Sequence, residues 1–177
     1  MRLTPLASAS LIELAAGWLA APENAKWLDL GRARRGMSPT LLKLMTQKTD
    51  HALRIYMDDS GDRPIGVVGL DHIDRDFRTA TVWVMLGDKA FARRGYATGA
   101  MSKMLTIGFA ELGLAAINTW CVESNHSVRM VRQLNFRLVG RQRRCHYIDG
   151  QPCDRLLFDL LASEHRELNG VLGQAHA

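Results

Sequence analysis

The sequence lacks most of the features that mark specialised protein classes. Its 177 residues include only three cysteines, Cys121, Cys145 and Cys153, with no C-x-x-C pair. Such a set argues against a disulfide framework and against a zinc site, and it favours a reducing compartment. No apolar run approaches the roughly 20 residues needed to cross a bilayer, and Glu13 interrupts the apolar N-terminal segment, which favours an amphipathic helix over a signal peptide. We therefore expect a cytoplasmic protein with no membrane span and no metal.

Known phosphate-binding fingerprints are also missing. Neither G-x-x-x-x-G-K-[ST] nor G-x-G-x-x-G occurs in the chain. The formal net charge is +5, from 23 basic and 18 acidic residues, which suits an anionic ligand but does not by itself indicate nucleic acid. If the chain binds an organic phosphate, a different loop must hold it.

The length favours one domain with a single sizeable core, and its N-terminal part reads as mainly helical. Residues 2–6 could form a short strand. A helix is expected from Ser8 to Ala20, with Ser8 or Ser10 as its cap, and another begins with Ser38 as its cap and Pro39 at its first position.

The rest of the chain alternates short strands with turns rich in Asp, Gly and Pro, which is typical of an antiparallel meander. Apolar periodicity predicts a helix from Tyr96 to about Leu112, closed by Gly113, and another in residues 125–134. The expected strands are residues 52–57, 65–73, 78–86, 115–122, 136–148 and 155–161. This order predicts an α/β (α+β) fold whose sheet is mixed and mostly antiparallel, with six to seven strands and helices on both faces.

One segment places positive charge and small residues at the start of a helix. In MLGDKAFARRGYATGA (85–100) a strand ends, a glycine-containing turn follows, and a helix begins near Tyr96. The first amides of a helix have no partner inside it, and the helix dipole adds positive charge at the same end. Gly95 would let a phosphate approach the backbone, and Arg93 and Arg94 add full charges. Basic residues at the positive end of the dipole are unfavourable unless an anion is bound there. Two of them at this position therefore favour an anion-binding loop over an ordinary basic turn.

The same segment, RRGYATGAMSKML, resembles the pyrophosphate-binding motif [QR]-x-x-G-x-[GA] of the GNAT superfamily of N-acetyltransferases. Gly95 and Ala97 match its last two marked positions. Its Gln/Arg position falls on Ala92, so Arg93 or Arg94 would have to compensate.

A second segment, ESNHSVRMVRQLNF, resembles the family's later motif N-x-x-S-x-R-x-x-E-x-x-G-F. Ser127 and Arg129 occupy the serine and arginine positions. Asn125 precedes the serine by two residues instead of three, and Asn135 replaces the glycine, which is tolerable because Asn accepts left-handed backbone angles. The resemblance covers roughly residues 52–161 and is closest to the branch of ribosomal-protein and small-molecule amine acetyltransferases.

The resemblance implies an acetyl-CoA-binding site. In this family the third meander strand and the strand after the long helix run parallel and then separate, and the pantetheine arm binds between them. The amides of residues 94–98 would hold the pyrophosphate. The residues assigned to the coenzyme site are Val84, Met85, Leu86, Arg93, Arg94, Gly95, Tyr96, Ala97, Thr98, Asn125 and Ser127. The chain would then be one acetyltransferase domain (1–177), with a helical acceptor-side segment (1–50), an acetyl-CoA-binding core (52–161) and a C-terminal tail (162–177).

The proton transfers have three candidate residues. Direct attack of an amine on the thioester needs a base and an acid, and the tyrosine that serves as acid in many relatives falls on Val131. Ser127 could orient or protonate the sulfur, or be an ordinary hydroxyl in a first helical turn. Glu123 could be a base, or a cap or salt-bridge partner. His72 could be a base near the acceptor, or a structural histidine.

The resemblance implies an acetyl-CoA-dependent N-acetyltransferase whose acceptor is a primary amine of a small molecule or a protein N-terminus. The alternative is a non-catalytic CoA-binding sensor or a basic RNA-binding module on the same fold. The basic run at residues 140–150 suits RNA, but the solvated face of a hairpin is the simpler interpretation. A homodimer is left open. Trp18, Trp27 and Met37 could line the acceptor pocket or pack in the core.

Overall fold

The chain folds around one mixed β-sheet with helices on both of its faces. The computed structural model describes residues 1–29 and 37–168, so the last nine residues of the expected C-terminal tail lie outside the described residues. The strands are β1 Leu3–Pro5, β2 Ala52–Met57, β3 Pro64–Asp74, β4 Thr79–Leu86, β5 Ala116–Val122, β6 Arg137–Ile148 and β7 Gln151–Leu161. The α-helices are α1 Ala9–Ala20, α2 Pro22–Ala25, α3 Pro39–Thr46, α4 Tyr96–Thr106 and α5 Ser127–Gln133.

The sheet has the order β1-β2-β3-β4-β5-β7-β6. Strands β4 and β5 run parallel, and the other neighbouring pairs are antiparallel. The predicted fold class, a mixed and mostly antiparallel sheet, is therefore confirmed. No helix within residues 1–29 and 37–168 is long and apolar enough to cross a membrane.

The helix starts follow from local capping. The Ser8 hydroxyl accepts a hydrogen bond from the Leu11 amide at 3.3 Å, and the Ser38 hydroxyl accepts one from the Leu41 amide at 3.1 Å. Each bond satisfies an amide that has no partner inside its helix. Ser38 is the cap that the sequence predicts, and of the two serines left open for α1 the cap is Ser8.

The long helix ends differently from the prediction. Helix α4 stops at Thr106, and a wider π-helical turn, Ile107–Glu111, carries the chain on to Gly113, which has a φ of 68°. Gly108 sits in this turn, where a Cβ atom would lie only 2.6 Å from the Ile117 Cδ1 atom of β5. The end of the helix therefore depends on close packing against the sheet, which helical periodicity does not show.

The two faces of the sheet carry separate apolar clusters. The cluster on one face includes α4 and α5, and the cluster on the other includes α1 and α3. Alternate residues of β4 divide between them, since Val82 and Val84 join the first cluster while Trp83 and Met85 join the second. This alternation puts different side chains of β4 on the side of α4 and α5 and on the side of the N-terminal helices.

Tyr56 gives the fold a specific sensitivity to alkali. Its ring is fully buried, and its hydroxyl donates a hydrogen bond of 3.0 Å to the Met85 carbonyl oxygen. Burial raises the pKa of Tyr56 well above its ordinary value. The resulting stability is fully present while an unfolded tyrosine stays protonated. It is lost as the pH rises above about 10, because only the unfolded chain then ionises readily.

We expect the free energy of unfolding to fall above that pH by about 1.4 kcal/mol per pH unit for this one group. Tyr56→Phe should be about 1 kcal/mol less stable than the parent at pH 7, because the buried Met85 carbonyl loses its donor, and this disadvantage should shrink and reverse above pH 10. Urea unfolding between pH 7 and pH 11 measures the difference. Tyr147→Phe changes an exposed tyrosine and should follow the parent. A Tyr56→Phe difference that stays constant with pH would contradict the assigned role of the buried phenol.

Candidate active site

Strands β4 and β5 part in the middle of the sheet. Their parallel pairing ends at Thr81 and Asn118, although β4 continues to Leu86 and β5 continues to Val122. A cleft of about 480 Å³ opens between the two unpaired lengths.

A side chain marks the point where the strands part. The Thr119 hydroxyl donates a hydrogen bond of 2.9 Å to the Val82 carbonyl oxygen, and both residues are buried. This bond takes the position of the next backbone hydrogen bond between β4 and β5. It therefore satisfies the first β4 carbonyl that is left without a backbone partner where the strands separate. We name this contact the Thr119–Val82 bridge.

Most of the residues that the sequence assigned to a site meet in this cleft. Arg94 and Glu123 are not on its walls. The assigned residues that line it are His72, Val84, Met85, Leu86, Arg93, Gly95, Tyr96, Ala97, Thr98, Asn125 and Ser127.

The start of α4 presents free amides to the cleft. Gly95 has a φ of 80°, a left-handed conformation that glycine adopts without steric cost. Among the hydrogen bonds of the described residues, none uses the backbone N–H groups of residues 93–98 as donors. These amides can therefore donate to a ligand at the positive end of the helix dipole.

The two arginines of the loop have different surroundings. Arg93 lines the cleft, whereas the Arg94 guanidinium carbon lies 5.4 Å from the centre of the Phe91 ring. Arg63 contacts the same ring at 5.1 Å and pairs with Asp88 at 2.5 Å. Arg93 is thus the arginine of this loop that reaches the cleft, while Arg94 stacks on an aromatic ring.

Tyr96, the first residue of α4, has its hydroxyl committed elsewhere. It donates a hydrogen bond of 2.7 Å to Asp59. This bond raises the pKa of the Tyr96 phenol and lowers the pKa of Asp59. The phenol therefore stays neutral, and it is not free to serve as the missing acid.

The start of α5 closes the far side of the cleft. The Asn125 side-chain oxygen accepts a hydrogen bond of 2.8 Å from the Ser127 amide, so the asparagine two residues before the serine supports the first turn. Burial raises the pKa of the Cys121 thiol, and contact with Ser127 opposes the rise only in part. Cys121 therefore remains a protonated, buried thiol beside Ser127. Val131, at the position of the family's tyrosine, is fully buried.

Glu123 lies away from the cleft. Its carboxylate pairs with Arg141 at 2.5 Å, and its backbone amide donates to the Asp154 carbonyl. Of the alternatives that the sequence left open, the observed one is the salt-bridge partner. The structure does not place this carboxylate where a base would act.

His72 lines the cleft from an irregular part of β3. Strand β3 continues to Asp74, and its register shifts between Asp71 and Asp74. His72 sits in this irregularity with a φ of 53° and an exposed side chain. The bulge turns the imidazole out of the regular pleat and towards the cleft.

Two tryptophans of the cleft were not assigned from the sequence. Trp83 and Trp120 line it together with Trp27, which the sequence raised as a candidate, and with the buried carboxylate of Asp71. Trp18 packs in the core cluster of α1. The two-residue alternation of β4 could have shown that Trp83 faces away from Val82 and Val84, but no local signal shows which face a ligand uses.

The segment that follows α1 is held against the cleft by polar contacts. The Lys89 ammonium donates hydrogen bonds to the Asn24 side-chain oxygen and, at 2.6 Å, to the Leu86 carbonyl oxygen. His146 of β6 donates to the Lys26 carbonyl oxygen at 2.7 Å. These bonds fix the N-terminal wall to the end of β4 and to the hairpin of β6 and β7.

A basic depression adjoins the cleft. Arg93 and Asn125 belong to both surfaces, and Arg129 and Arg132 of α5 extend the charge. None of these three arginines forms an ion pair within the described part of the chain. The depression therefore suits a second anionic group. No three His, Cys, Asp or Glu side chains of the described ranges form a group that could hold a metal ion.

Comparisons with known proteins agree with this geometry. The family model described as "Acetyltransferase (GNAT) domain" matches residues 1–137, and a comparison with curated protein sequences finds no match. A crystal structure of a probable acetyltransferase is 22% identical, with a TM-score of 0.73, and the match covers 90% of this chain and 92% of that one.

Two further solved structures share the fold at similar identity. One is the spermidine N-acetyltransferase of Vibrio cholerae in complex with CoA and spermine, 17% identical with a TM-score of 0.79, covering 92% of this chain and 96% of that one. The other is the ribosomal-protein-S5-alanine acetyltransferase of Vibrio fischeri, 19% identical with a TM-score of 0.73, covering 93% of each chain.

Proposed function

This chain belongs to the GNAT family of acetyltransferases, which use acetyl-CoA to acetylate amines, and on that premise we propose that it acetylates a primary amine of a small molecule or a protein N-terminus by direct attack. The observation that carries the proposal is the set of unpartnered amides at residues 93–98 beside the cleft between β4 and β5. We further infer that residues 1–50 form the acceptor side of one domain, with residues 52–161 as its coenzyme-binding core.

The residues of the cleft fit the parts of the coenzyme. Its diphosphate would be held by the free amides at the start of α4 and by Arg93, because backbone N–H groups and a guanidinium are strong donors to phosphate oxygens. The unpaired edge of β4 near Val84 offers backbone groups to the amides of the pantetheine arm. Arg129 and Arg132 suit the coenzyme's remaining phosphate.

The reaction requires one proton to leave the nitrogen and one to reach the sulfur. The amine lone pair forms the C–N bond to the acetyl carbonyl carbon, the C–S bond breaks, and the sulfur leaves as a thiolate that takes up a proton. We assign proton acceptance from the amine to His72, because its imidazole lies at the cleft and histidine is the side chain that most often serves as a general base. Ser127 is assigned to the sulfur, because it is the cleft hydroxyl beside Cys121.

A CoA-binding sensor is the second candidate function, and Val131 is the observation that favours it. An apolar residue at the position of the family's tyrosine leaves no phenol there to protonate the sulfur. The RNA-binding alternative has less support. Arg141 in the basic hairpin pairs with Glu123 and Asp154, and Arg155 pairs with Asp29, so part of the positive charge is already neutralised.

Thiol release separates the enzyme from the sensor. We expect a thiol-trapping reagent to report release when the protein is mixed with acetyl-CoA and one of three amines: spermidine, tyramine or a tripeptide with N-terminal alanine. Mass spectrometry should find the acetylated amine, and the same tripeptide with a blocked N-terminus should give only the background rate. Tight CoA binding without amine-dependent thiol release would support the sensor and contradict the enzyme.

A further inference from the structure

A buried carboxylate faces the cleft on the side of the N-terminal helices. Asp71 is 7% exposed and lines the cleft. One of its oxygens lies 2.8 Å from the His51 Nδ1 atom, and the other accepts a hydrogen bond of 2.7 Å from the Trp83 indole N–H. Within residues 1–29 and 37–168, no lysine or arginine pairs with this carboxylate.

The contacts of Asp71 leave its negative charge incompletely balanced. An ionised carboxylate offers about four acceptor sites, and His51 and Trp83 use two of them. The other His51 nitrogen lies 3.6 Å from Asp50, so even a protonated His51 stands between two carboxylates. A buried charge is costly without a partner of opposite charge. The cleft is the side from which such a partner can reach Asp71.

Asp71 stands where the reacting end of the coenzyme would arrive. It is the register partner of Thr81, which is also the last β4 residue that pairs with β5. The free amides at the start of α4 follow the opposite end of β4. A ligand anchored at those amides and extended along β4 therefore brings its far end towards Asp71.

A glycine lets the indole reach the carboxylate. Gly69 is the register partner of Trp83, and a Cβ atom on Gly69 would lie 2.6 Å from Leu53 and 3.0 Å from the Trp83 ring. Its absence lets the indole lie across β3 and donate to Asp71, two residues further along.

From this arrangement we propose that Asp71 binds the acceptor's ammonium group and makes the enzyme selective for an acceptor with one cationic amine at the reacting position. The proposal rests on the proposed acetyltransferase function. The other carboxylate on the described cleft wall, Asp29, pairs with Arg155 at 2.8 Å, so a second cationic centre finds less charge to bind. The ammonium gives one proton to the neighbouring His72, and its remaining N–H groups keep the nitrogen on Asp71 while the lone pair attacks. The second proton that the nitrogen loses as the amide forms goes to the departing thiolate.

The test compares cations with neutral molecules of the same shape on the CoA-saturated protein. Butylamine and phenethylamine are titrated beside butanol and 2-phenylethanol, and isothermal titration calorimetry measures binding in the parent and in every variant. In the parent we expect at least one amine to bind about 10- to 100-fold more tightly than its alcohol, the range for a hydrogen bond to a charged group. In Asp71→Asn the two should bind within about threefold of each other. Equal binding of amines and alcohols by the parent, or an unchanged preference in the variant, overturns the proposal.

Two variants distinguish a specific role of Asp71 from a general effect of protein charge. Asp76→Asn makes the same charge change at an exposed position of the turn after β3 and should keep the full preference for amines. Trp83→Phe keeps the carboxylate but removes the indole donor, and the preference should fall severalfold. It also serves as the second test if Asp71→Asn folds poorly.

Coenzyme affinity tells the two proposals apart. Asp71→Asn should bind CoA within about twofold of the parent, and in turnover with any active amine its KM for that amine should rise while its KM for acetyl-CoA stays constant. A parent protein that fails to bind CoA would sink the proposed function. A parent that binds CoA and acetylates amines, with an amine KM that Asp71→Asn leaves unchanged, would sink only the role of Asp71.

Discussion

Gly95→Glu should raise the dissociation constant for CoA by about 100-fold or more. Gly95 has a φ of 80° at the cap of α4, with free amides on either side. A glutamate here would set bulk and negative charge against the diphosphate, and losing even two hydrogen bonds to charged oxygens costs about 1.5–3 kcal/mol each. The variant should still fold. A left-handed non-glycine residue costs about 1–2 kcal/mol, and an acidic group at a helix start offsets part of that cost.

Isothermal titration calorimetry with CoA measures this effect, and Gly113→Glu is the matched control. Gly113 also has a left-handed backbone, with a φ of 68°, and lies beyond the other end of the same helix, where a Cβ atom would meet nothing within 4 Å. It should show comparable strain and the same charge change with normal CoA affinity. If the two variants bind CoA equally well, the start of α4 is not the diphosphate site.

Gly66→Val should lower the free energy of unfolding by about 4 kcal/mol. A Cβ atom on Gly66 would lie 2.2 Å from the Tyr56 ring and 2.5 Å from the Met85 carbonyl oxygen. The side chain must push the Tyr56 ring aside, which combines overpacking at about 1–3 kcal/mol with a broken buried hydrogen bond at about 1–3 kcal/mol. Because Met85 belongs to the cleft wall, CoA binding should weaken as well.

Thermal and urea unfolding test this prediction, with Gly140→Val as the comparison. Gly140 lies in β6, and a Cβ atom there would meet nothing within 4 Å, so a β-branched residue should be tolerated within about 0.5 kcal/mol. For a chain of this size the loss in Gly66→Val corresponds to a melting temperature lower by roughly 8–16 °C. Similar melting temperatures for the two variants would show that β3 can accommodate the extra atoms.

The sequence predicts those parts of the fold that local interactions determine. Ser8 and Ser38 each bond to an amide three residues further along the chain, and Gly95 turns the backbone at its own position. Short motifs are therefore enough to recognise them. The strands of the meander show their turns and their alternation in the same way. The start of α4, on which the proposed coenzyme site depends, is a feature of this local kind.

The remaining features depend on residues that are distant along the chain. Glu123 looked suitable as a base because it follows the end of a strand, but the arginine that holds it lies on β6, 18 residues later. His51 and Asp71 are 20 residues apart, and their contact follows from the register of β2 and β3. The π-helical turn after Thr106 depends on Ile117 in the same manner. Such contacts are set by tertiary packing, which periodicity and motif spacing do not encode.

The Thr119–Val82 bridge marks where β4 and β5 begin to separate, so the length of β4 beyond it can act as a molecular ruler. From Val82 to Leu86 the strand spans roughly 14 Å at about 3.4 Å per residue, and α4 begins shortly after its other end. On the proposed function, a thioester carrier held by its diphosphate at the start of α4 would lie along this length and bring its carbonyl towards the bridge. Carriers with shorter or longer arms would hold their acyl group out of line with the nucleophile. The hydroxyl of a single threonine would thereby contribute to selecting substrates by length, without touching the acyl group.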